Sequence, residues 1–175
     1  PLGEKEPILS TIGTLIPRKG QELVLRALVD LPDARLLLVG KGPDEAKLRA
    51  LADELGVAQR VHFLGLLDHD LLPLVLSASN AMVLPSSSEG LANAWVEALA
   101  SGTPVVITDV GGAREIVDRP EAGKIVARDS QAVADLLTEM EDRFDIVIED
   151  DEIDGDHLET YGGLLALAEA KTVTS

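Results

Sequence analysis

The amino-acid sequence predicts an α/β fold, in which a parallel, doubly wound sheet of about six strands carries helices on both faces. Short apolar runs with strand character recur along the 175 residues, and segments with apolar residues at helical spacing separate most of them. Hydrophobic residues make up 46% of the chain but aromatic residues only 2%, so Leu, Val, Ile and Ala must build the core. A core of that kind is typical of parallel sheets that are buried on both faces.

The individual strands and helices follow from these two patterns. Six short apolar runs predict strands at residues 8–12, 35–39, 61–64, 81–84, 104–108 and 124–126. Five stretches with helical spacing predict helices at residues 21–31, 44–55, 68–77, 90–101 and 130–140. The alternation indicates a Rossmann-like sheet, in which ligands bind beyond the carboxyl ends of the strands. The loops after the strands, among them residues 15–20 and 85–89, are therefore the expected functional edge.

The charge distribution indicates a change of character near Ala127. From Asp118 onward there are 16 acidic and 5 basic residues. We therefore divide the chain into a linker at residues 1–7, a Rossmann-like domain at residues 8–128 and an acidic helical tail at residues 129–175. The first residues carry no Met and resemble an interdomain linker, so we expect the chain to begin partway through a longer protein.

Composition excludes several functional classes. The formal net charge of −16 repels nucleic-acid phosphates and anionic lipid headgroups, so a phosphate site must be local and built from backbone amides with a few Lys or Arg side chains. The absence of Cys excludes disulfides, thiolate nucleophiles and cysteine-ligated metals. No apolar run reaches the roughly 18 residues of a membrane span, and no signal pattern opens the chain. We expect a soluble, cytoplasmic protein without a metal site, since His62, His69 and His157 are isolated from one another.

Two carboxylates, Glu89 and Glu97, stand eight residues apart across the expected helix start at Gly90. At 1.5 Å of rise per residue, a helix would place them about 12 Å apart on much the same face. The first N–H groups of that helix would bind an anion such as a diphosphate. Sugar hydroxyls could then donate to Glu89, and the vicinal hydroxyls of a ribose to Glu97. On an exposed helix such a pair more often forms a solvated face, but the surrounding loops favour a ligand.

The loop after the first strand supplies two cations, Arg18 and Lys19. Lys19 is the better candidate to cross the cleft and neutralise a phosphate. Arg18 is the weaker candidate, because a solvated turn explains it equally well.

Four segments of the sequence carry a family resemblance. They are Ile-Gly-Thr-Leu-Ile-Pro-Arg-Lys-Gly at residues 12–20, Leu-Val-Gly-Lys-Gly-Pro at 38–43, Val-His-Phe-Leu-Gly at 61–65, and residues 85–112. In this order they resemble the C-terminal, donor-binding domain of the two-domain retaining glycosyltransferases of family 4, which have the GT-B fold and transfer a sugar from a nucleotide diphosphate. The resemblance runs from about Ile8 to Leu137.

The resemblance implies a donor site for a UDP- or GDP-hexose at the predicted loops. Glu89 would contact the donor sugar as the catalytic residue of this half, Glu97 the ribose and Lys19 the diphosphate. The remaining donor-binding residues that it implies are Gly13, Thr14, Arg18, Gly90, Leu91, Ala92 and Asn93. Two positions depart from the family pattern. Thr14 stands where Arg is frequent, so one diphosphate cation is missing or is replaced by Arg18, and Leu91-Ala92 replaces the common Phe-Gly, which narrows the space for the sugar.

The resemblance also implies what this chain lacks. In the family, the acceptor site and a histidine near the reacting carbon belong to an N-terminal domain, so we expect the fragment alone to transfer little or nothing. Transfer would proceed with retention and without a metal ion or other cofactor. The acceptor is not specified, and any membrane association would come through the missing domain.

The acidic tail resembles the second half of an acyl carrier protein. In that family a Ser after Asp opens an acidic helix and carries phosphopantetheine, and Ser130 occupies that place, whereas Gln131 stands where Leu is usual. The alternative function is therefore a carrier or protein-interaction module that uses the acidic helices. A third class, an α/β domain such as a sugar-nucleotide epimerase, is disfavoured because no Gly-x-Gly-x-x-Gly turn follows the first strand.

Overall fold

The computed structural model describes residues 7–141 of the chain. Its strands are β1 (Ile8–Ile12), β2 (Arg35–Val39), β3 (Val61–Gly65), β4 (Ala81–Leu84), β5 (Val105–Thr108) and β6 (Gly123–Val126). Its helices are α1 (Gln21–Ala27), α2 (Glu45–Glu54), α3 (Leu72–Ala78), α4 (Asn93–Ala100), α5 (Ala113–Ile116) and α6 (Ser130–Glu141). Single 3₁₀ turns lie at Pro17–Lys19, Ala58–Arg60, His69–Leu71 and Pro120–Ala122.

The six strands form one parallel sheet in the order β3-β2-β1-β4-β5-β6. The chain therefore winds outward from β1 in one direction and from β4 in the other, which confirms the doubly wound, Rossmann-like prediction. The order reverses between β1 and β4, and at such a switch point the loops after the two strands leave a crevice beyond the carboxyl ends. The sheet topology thus brings together the loop that carries Lys19 and the loop that carries Glu89.

Two apolar cores lie on opposite faces of the sheet. One contains Leu25 of α1, Leu48 of α2 and Leu137 of α6 against alternate residues of β2. The other contains Leu76 of α3 and Trp95 of α4 against Leu37 and Val39, the residues of β2 that face the other side of the sheet. Strands β1 to β5 contribute side chains to both cores, so they read as mainly apolar segments without a strict alternation of polar and apolar residues.

The predicted strands match the observed ones to within one residue at each end, but three helices differ. The helix predicted at 21–31 ends at Ala27, because the N–H groups of residues 29–31 donate to carbonyls three residues back instead of four and form turns. The helix predicted from residue 68 begins at Leu72, after a 3₁₀ turn. The helix predicted to open at Gly90 begins at Asn93, so the assignment of Gly90 as the helix start is wrong. The short helix α5 was not predicted.

Helix α6 packs into the same core as the strands before it. Its Val133, Ala134 and Leu137 are at most 3% exposed and belong to the cluster that includes Leu25 of α1. Helix α6 therefore shares a core with the Rossmann-like domain, and the domain boundary after Arg128 stays a prediction. The rest of the predicted tail, residues 142–175, and residues 1–6 of the predicted linker lie outside the described residues.

The Asp129-Ser130 pair that suggested a carrier protein opens α6. The carboxylate of Asp129 accepts hydrogen bonds from the backbone N–H groups of Gln131 (2.9 Å) and Ala132 (3.1 Å). This is a helix N-cap, which accounts for the local sequence without a modification. Attachment of phosphopantetheine at Ser130 stays a prediction. Within residues 7–141, none of the helices combines the length and the apolar character needed to cross a bilayer.

Candidate functional site

The loops after β1 and β4 are joined at the switch point of the sheet. The backbone N–H of Ser87 donates to the carbonyl of Arg18 at 2.8 Å. Gly20, at φ +77°, lies so close to the second loop that a Cβ atom there would stand 2.3 Å from the carbonyl oxygen of Pro85. Glycine is therefore required at residue 20 for both backbone conformation and close approach.

An ion pair connects the two functional side chains of these loops. The Lys19 ammonium lies 2.6 Å from Oε1 of Glu89, and the two side chains are only 13% and 8% exposed. Burial of the carboxylate raises the pKa of Glu89, whereas the hydrogen bond from Lys19 and the nearby hydroxyl of Ser86 lower it. With the positive charges of Lys19 and Arg18 added, the pKa of Glu89 stays below its ordinary value. Glu89 is therefore ionised at neutral pH.

Arg18 contacts the second loop instead of facing only solvent. Its Nη1 donates to the carbonyl of Ser88 and lies 3.5 Å from Oε2 of Glu89, while the side chain remains 46% exposed. The solvated-turn interpretation therefore does not hold for this side chain. Its predicted contact with a diphosphate stays a prediction.

Gly13 and Thr14 shape the first loop through their backbone. The Cδ, Cε and Nζ atoms of Lys19 lie 3.6–3.9 Å from the point where a Cβ of Gly13 would stand, so the lysine stem crosses over this glycine. The carbonyl of Thr14 accepts a hydrogen bond from Nε2 of the buried Gln21 at 3.1 Å. The structure therefore brings Gly13, Lys19 and Glu89 together, and Thr14 supplies no charge to the group.

The segment from Gly90 to the start of α4 presents unpaired backbone donors. The N–H groups of residues 90–94 donate to no acceptor within residues 7–141. Ala92 occupies the N-cap position of this eight-residue helix and has no side-chain oxygen to cap it. The free N–H groups and the helix dipole together favour an anion at this end. The N–H groups that are candidates to bind an anion therefore lie on a bend and on the first residues of α4, which begins three residues later than predicted.

The loop after β5 holds this segment in place. The N–H of Gly112 donates to the carbonyl of Gly90 at 2.9 Å, and a Cβ on Gly111 would lie 2.1 Å from the same oxygen. A Cβ on Gly90, by contrast, would meet no atom within 4 Å. Leu91 is 57% exposed beside Gly112. Gly90 therefore borders open space, with Leu91 at its rim.

Glu97 lies in α4, about one turn after Asn93, and is partly exposed. Within the described part of the chain its carboxylate has no hydrogen bond or ion pair. Because residues 90–92 are not helical, the prediction that Glu89 and Glu97 lie on one helix is wrong. Glu89 lies in the preceding loop and only Glu97 lies on the helix. Asn93, the first residue of the helix, is exposed.

Three residues of the site were not recognised in the sequence. Ser86 is fully buried beside Glu89, where its hydroxyl lowers the pKa of that carboxyl. Gln21 holds the Thr14 carbonyl, as described above. Arg128 donates to carbonyl groups of both loops. The three consecutive serines after β4 were a signal for Ser86, but nothing near residue 128 indicated partners 43 and 111 positions away.

Within residues 7–141, no group of three or more His, Asp or Glu side chains could hold a metal ion. The expectation that the site needs no metal stays a prediction.

Comparisons with known proteins place this geometry in context. The family "Glycosyl transferases group 1" matches residues 1–145. The chain is 36% identical over 148 residues to the GDP-mannose-dependent monoacylated alpha-(1-6)-phosphatidylinositol monomannoside mannosyltransferase of Corynebacterium glutamicum, an alignment that covers 78% of this chain and 38% of the relative. It is 40% identical over 117 residues to D-inositol 3-phosphate glycosyltransferase of Mycobacterium sp. (strain KMS), covering 63% of this chain and 26% of that protein.

Solved structures of similar proteins share this fold. Sucrose-phosphate synthase from Thermosynechococcus elongatus has a TM-score of 0.73 at 30% identity, with 97% of this chain and 43% of that chain covered. Anabaena HepE in complex with UDP has a TM-score of 0.71 at 25% identity, with coverage of 95% and 44%. The chain therefore spans less than half the length of these relatives.

Proposed function

Since the chain belongs to the group 1 glycosyl transferases and has their GT-B-type, Rossmann-like sheet, we propose that it is the C-terminal, donor-binding half of a hexosyltransferase. Its ligand is a nucleotide-diphosphate sugar, held at the switch point between β1 and β4. The observation that carries this proposal is the Lys19–Glu89 ion pair beside the unpaired N–H groups of residues 90–94.

The diphosphate is the part of the donor that this geometry suits best. The N–H groups before and at the start of α4 are oriented donors, and Lys19 adds a mobile positive charge on the opposite loop. When the bond between the anomeric carbon and the diphosphate oxygen breaks, the leaving group gains negative charge. Donors already fixed in place then stabilise the transition state more than the ground state. Arg18 contributes to the same field from the rim of the site.

The two carboxylates have different partners in this proposal. Glu89, ionised and next to Lys19, accepts hydrogen bonds from hydroxyl groups of the donor sugar once Lys19 turns to the diphosphate. Glu97 has no partner within the described residues and accepts hydrogen bonds from the ribose hydroxyls. Gly13 and Gly90 leave space for the backbone to approach the ligand, and Leu91 and Ala92 limit the room around the sugar.

The base of the donor is left as uridine or guanosine. One relative is named GDP-mannose-dependent, and one solved neighbour was crystallised with UDP. Family 4 membership, retention of configuration and transfer without a metal ion are parts of the proposal. So are the N-terminal acceptor domain, inactivity of the present chain by itself and any membrane association through that domain. The expectation of a cytoplasmic protein also stays a prediction.

Calorimetric titration of the full 175-residue chain with UDP and GDP tests the proposal. We expect binding tighter than millimolar for at least one nucleotide, unchanged by EDTA, and weaker by about tenfold in Glu97→Ala because a ribose contact is lost. Glu54→Ala, at an exposed position of α2, is the matched control and should bind as the wild type does. No binding of either nucleotide, or equal binding by Glu97→Ala and the wild type, would refute the proposed site.

A further inference from the structure

Arg128 links the two loops of the candidate site from outside them. It lies between β6 and α6, and its Nε donates to the carbonyl of Pro85 while its Nη2 donates to the carbonyl of Pro17, each at 3.1 Å. The two carbonyls lie 43 and 111 residues away in the chain. A single guanidinium therefore connects three segments that are distant in sequence.

Each of these carbonyls stands at the base of a functional loop. Pro17 directly precedes Arg18 and Lys19, and Pro85 begins the loop that ends at Glu89. Within residues 7–141, the carbonyl of the buried Pro85 accepts no other hydrogen bond. A guanidinium is planar and presents its donors in a fixed geometry, so two bonds from it set the separation of their acceptors.

The backbone of Arg128 is itself held on both sides. Strand β6 pairs with β5 up to Val126, and α6 packs against α1 from Val133 onward. The guanidinium therefore joins the two loops to a fixed part of the fold. The two loops are also linked directly, by the hydrogen bonds from Ser87 to the Arg18 carbonyl and from Arg18 to the Ser88 carbonyl and by the Lys19–Glu89 ion pair. Loss of Arg128 should therefore loosen the loops without separating them fully.

We propose that Arg128 is a positioning residue of the donor site, which holds the loops of Lys19 and Glu89 at the separation that lets both side chains act on one ligand. The identity of that ligand rests on the proposed function, but the effect on loop separation does not. The proposal assigns a role to a side chain that touches neither the Lys19 ammonium nor the Glu89 carboxylate.

The first test measures the geometry of the ion pair without any ligand. In the full chain labelled with ¹³C at glutamate carboxyl groups, the Glu89 signal is assigned with Glu89→Gln and titrated with pH. We expect Arg128→Ala to raise the pKa of Glu89 toward its ordinary value, because the Lys19 ammonium moves away. A general loss of stability would not change this pKa while the protein remains folded, so the readout is specific to positioning.

Arg60 provides a matched control. It also donates from its guanidinium to backbone carbonyls, those of Leu28, Leu31 and Ala34, but it lies after α2 and away from the site. Arg60→Ala should lower the melting temperature and leave the pKa of Glu89 unchanged. Arg128→Lys should restore the wild-type pKa of Glu89 only in part, since an ammonium does not reproduce the fixed geometry of the two guanidinium hydrogen bonds. If Arg128→Ala does not fold, Arg128→Gln gives the same comparison.

The second test measures binding of UDP-glucose and GDP-mannose to the same variants. We expect affinity about tenfold weaker in Arg128→Ala, equivalent to about 1.4 kcal/mol, and a much smaller effect of Arg128→Ala when Lys19→Met is already present. An unchanged pKa of Glu89 in Arg128→Ala would overturn the positioning role, whatever the affinities. A raised pKa without nucleotide binding by any variant, wild type included, would support the positioning role and refute the proposed donor site.

Discussion

The ammonium of Lys19 lies 2.6 Å from Oε1 of Glu89 and joins two residues that are 70 positions apart in the chain. Both side chains are largely shielded from water, so each is the principal counter-ion of the other. A diphosphate that binds Lys19 therefore competes with a carboxylate for the ammonium. Separating Lys19 from Glu89 costs free energy. This cost is smaller for a ligand that also donates hydrogen bonds to the Glu89 carboxylate.

Removal of the Glu89 carboxylate should affect the affinities for a nucleoside diphosphate and for a nucleotide sugar differently. In Glu89→Gln, Lys19 has no ionised partner, so we expect UDP and GDP without a sugar to bind about threefold to tenfold more tightly. UDP-glucose or GDP-mannose should gain less or lose affinity, because the sugar hydroxyls lose their carboxylate acceptor. Calorimetry on the full chain measures both, with Glu54→Gln in α2 as the control. Weaker binding of plain UDP and GDP by Glu89→Gln would contradict the competition.

The same pair predicts how stability depends on pH. The folded state holds the pKa of Glu89 below its ordinary value near 4.5, so the unfolded chain takes up the proton first as the pH falls. The contribution of Glu89 to stability is thus present above that value and is lost as the pH falls through the lowered pKa. Glu22, next to Lys47, and Asp109, next to Arg114, have lowered pKa values and act in the same direction.

Urea unfolding from pH 7 to pH 3 checks this dependence. The wild type should lose more free energy of unfolding across the interval than Glu89→Gln, which cannot titrate at this residue. Equal losses in the two proteins would show that the ion pair makes no net contribution to the folded state.

Alanine substitutions at Gly90 and Gly111 should have different effects, the first on ligand affinity and the second on stability. Gly90 borders open space, so Gly90→Ala should keep the melting temperature close to that of the wild type while its methyl group blocks the N–H groups that face a ligand. We expect affinity for UDP or GDP to fall by about tenfold. Gly111, at φ +52° and in contact with the Gly90 carbonyl, should lose about 2 kcal/mol of stability or more in Gly111→Ala.

Thermal unfolding and nucleotide titration of both variants separate these effects. Wild-type affinity in a folded Gly90→Ala protein would mean that the ligand does not approach this segment.

Helix α6 should be part of the folding unit. Leu137 is 3% exposed in the core shared with α1, so Leu137→Ala should cost about 2–5 kcal/mol of unfolding free energy. Asp135→Ala, at an exposed position of the same helix, should change it by less than about 0.5 kcal/mol. Chemical denaturation measures both. Similar small effects from the two substitutions would support the predicted domain boundary before α6.

The sequence predicted the sheet well because its signal is local. Strand β1, for example, is buried at every residue, and the predicted strand at residues 8–12 coincides with the observed Ile8–Ile12. The start of α4 was placed three residues early for the opposite reason. The apolar spacing of Leu91 and Ala92 fits a helix, whereas the hydrogen bond from Gly112 to Gly90 holds this segment outside the helix, and that partner is 22 residues away.

The candidate site shows the same division between local and distant information. Lys19 and Glu89 could be proposed from their positions after strands, because a parallel sheet brings such loops to one edge. Their pairing with each other, and the contact of Arg18 with the Ser88 carbonyl, depend on how two loops pack and have no pattern in the sequence. The start of α6 at Ser130 was predicted from the sequence, but the contacts of Arg128, two residues earlier, were not.

The central claim is that one ligand occupies the space between Lys19 and the N–H groups before α4. The most direct measurement is a titration of the ¹⁵N-labelled full chain with UDP-glucose and GDP-mannose, followed by amide chemical shifts. At least one of the two should produce saturable shifts concentrated at residues 90–94 and at Lys19, with little change at α2. Shifts confined to other surfaces, or none up to millimolar ligand, would contradict the assignment of this edge of the sheet as the donor site.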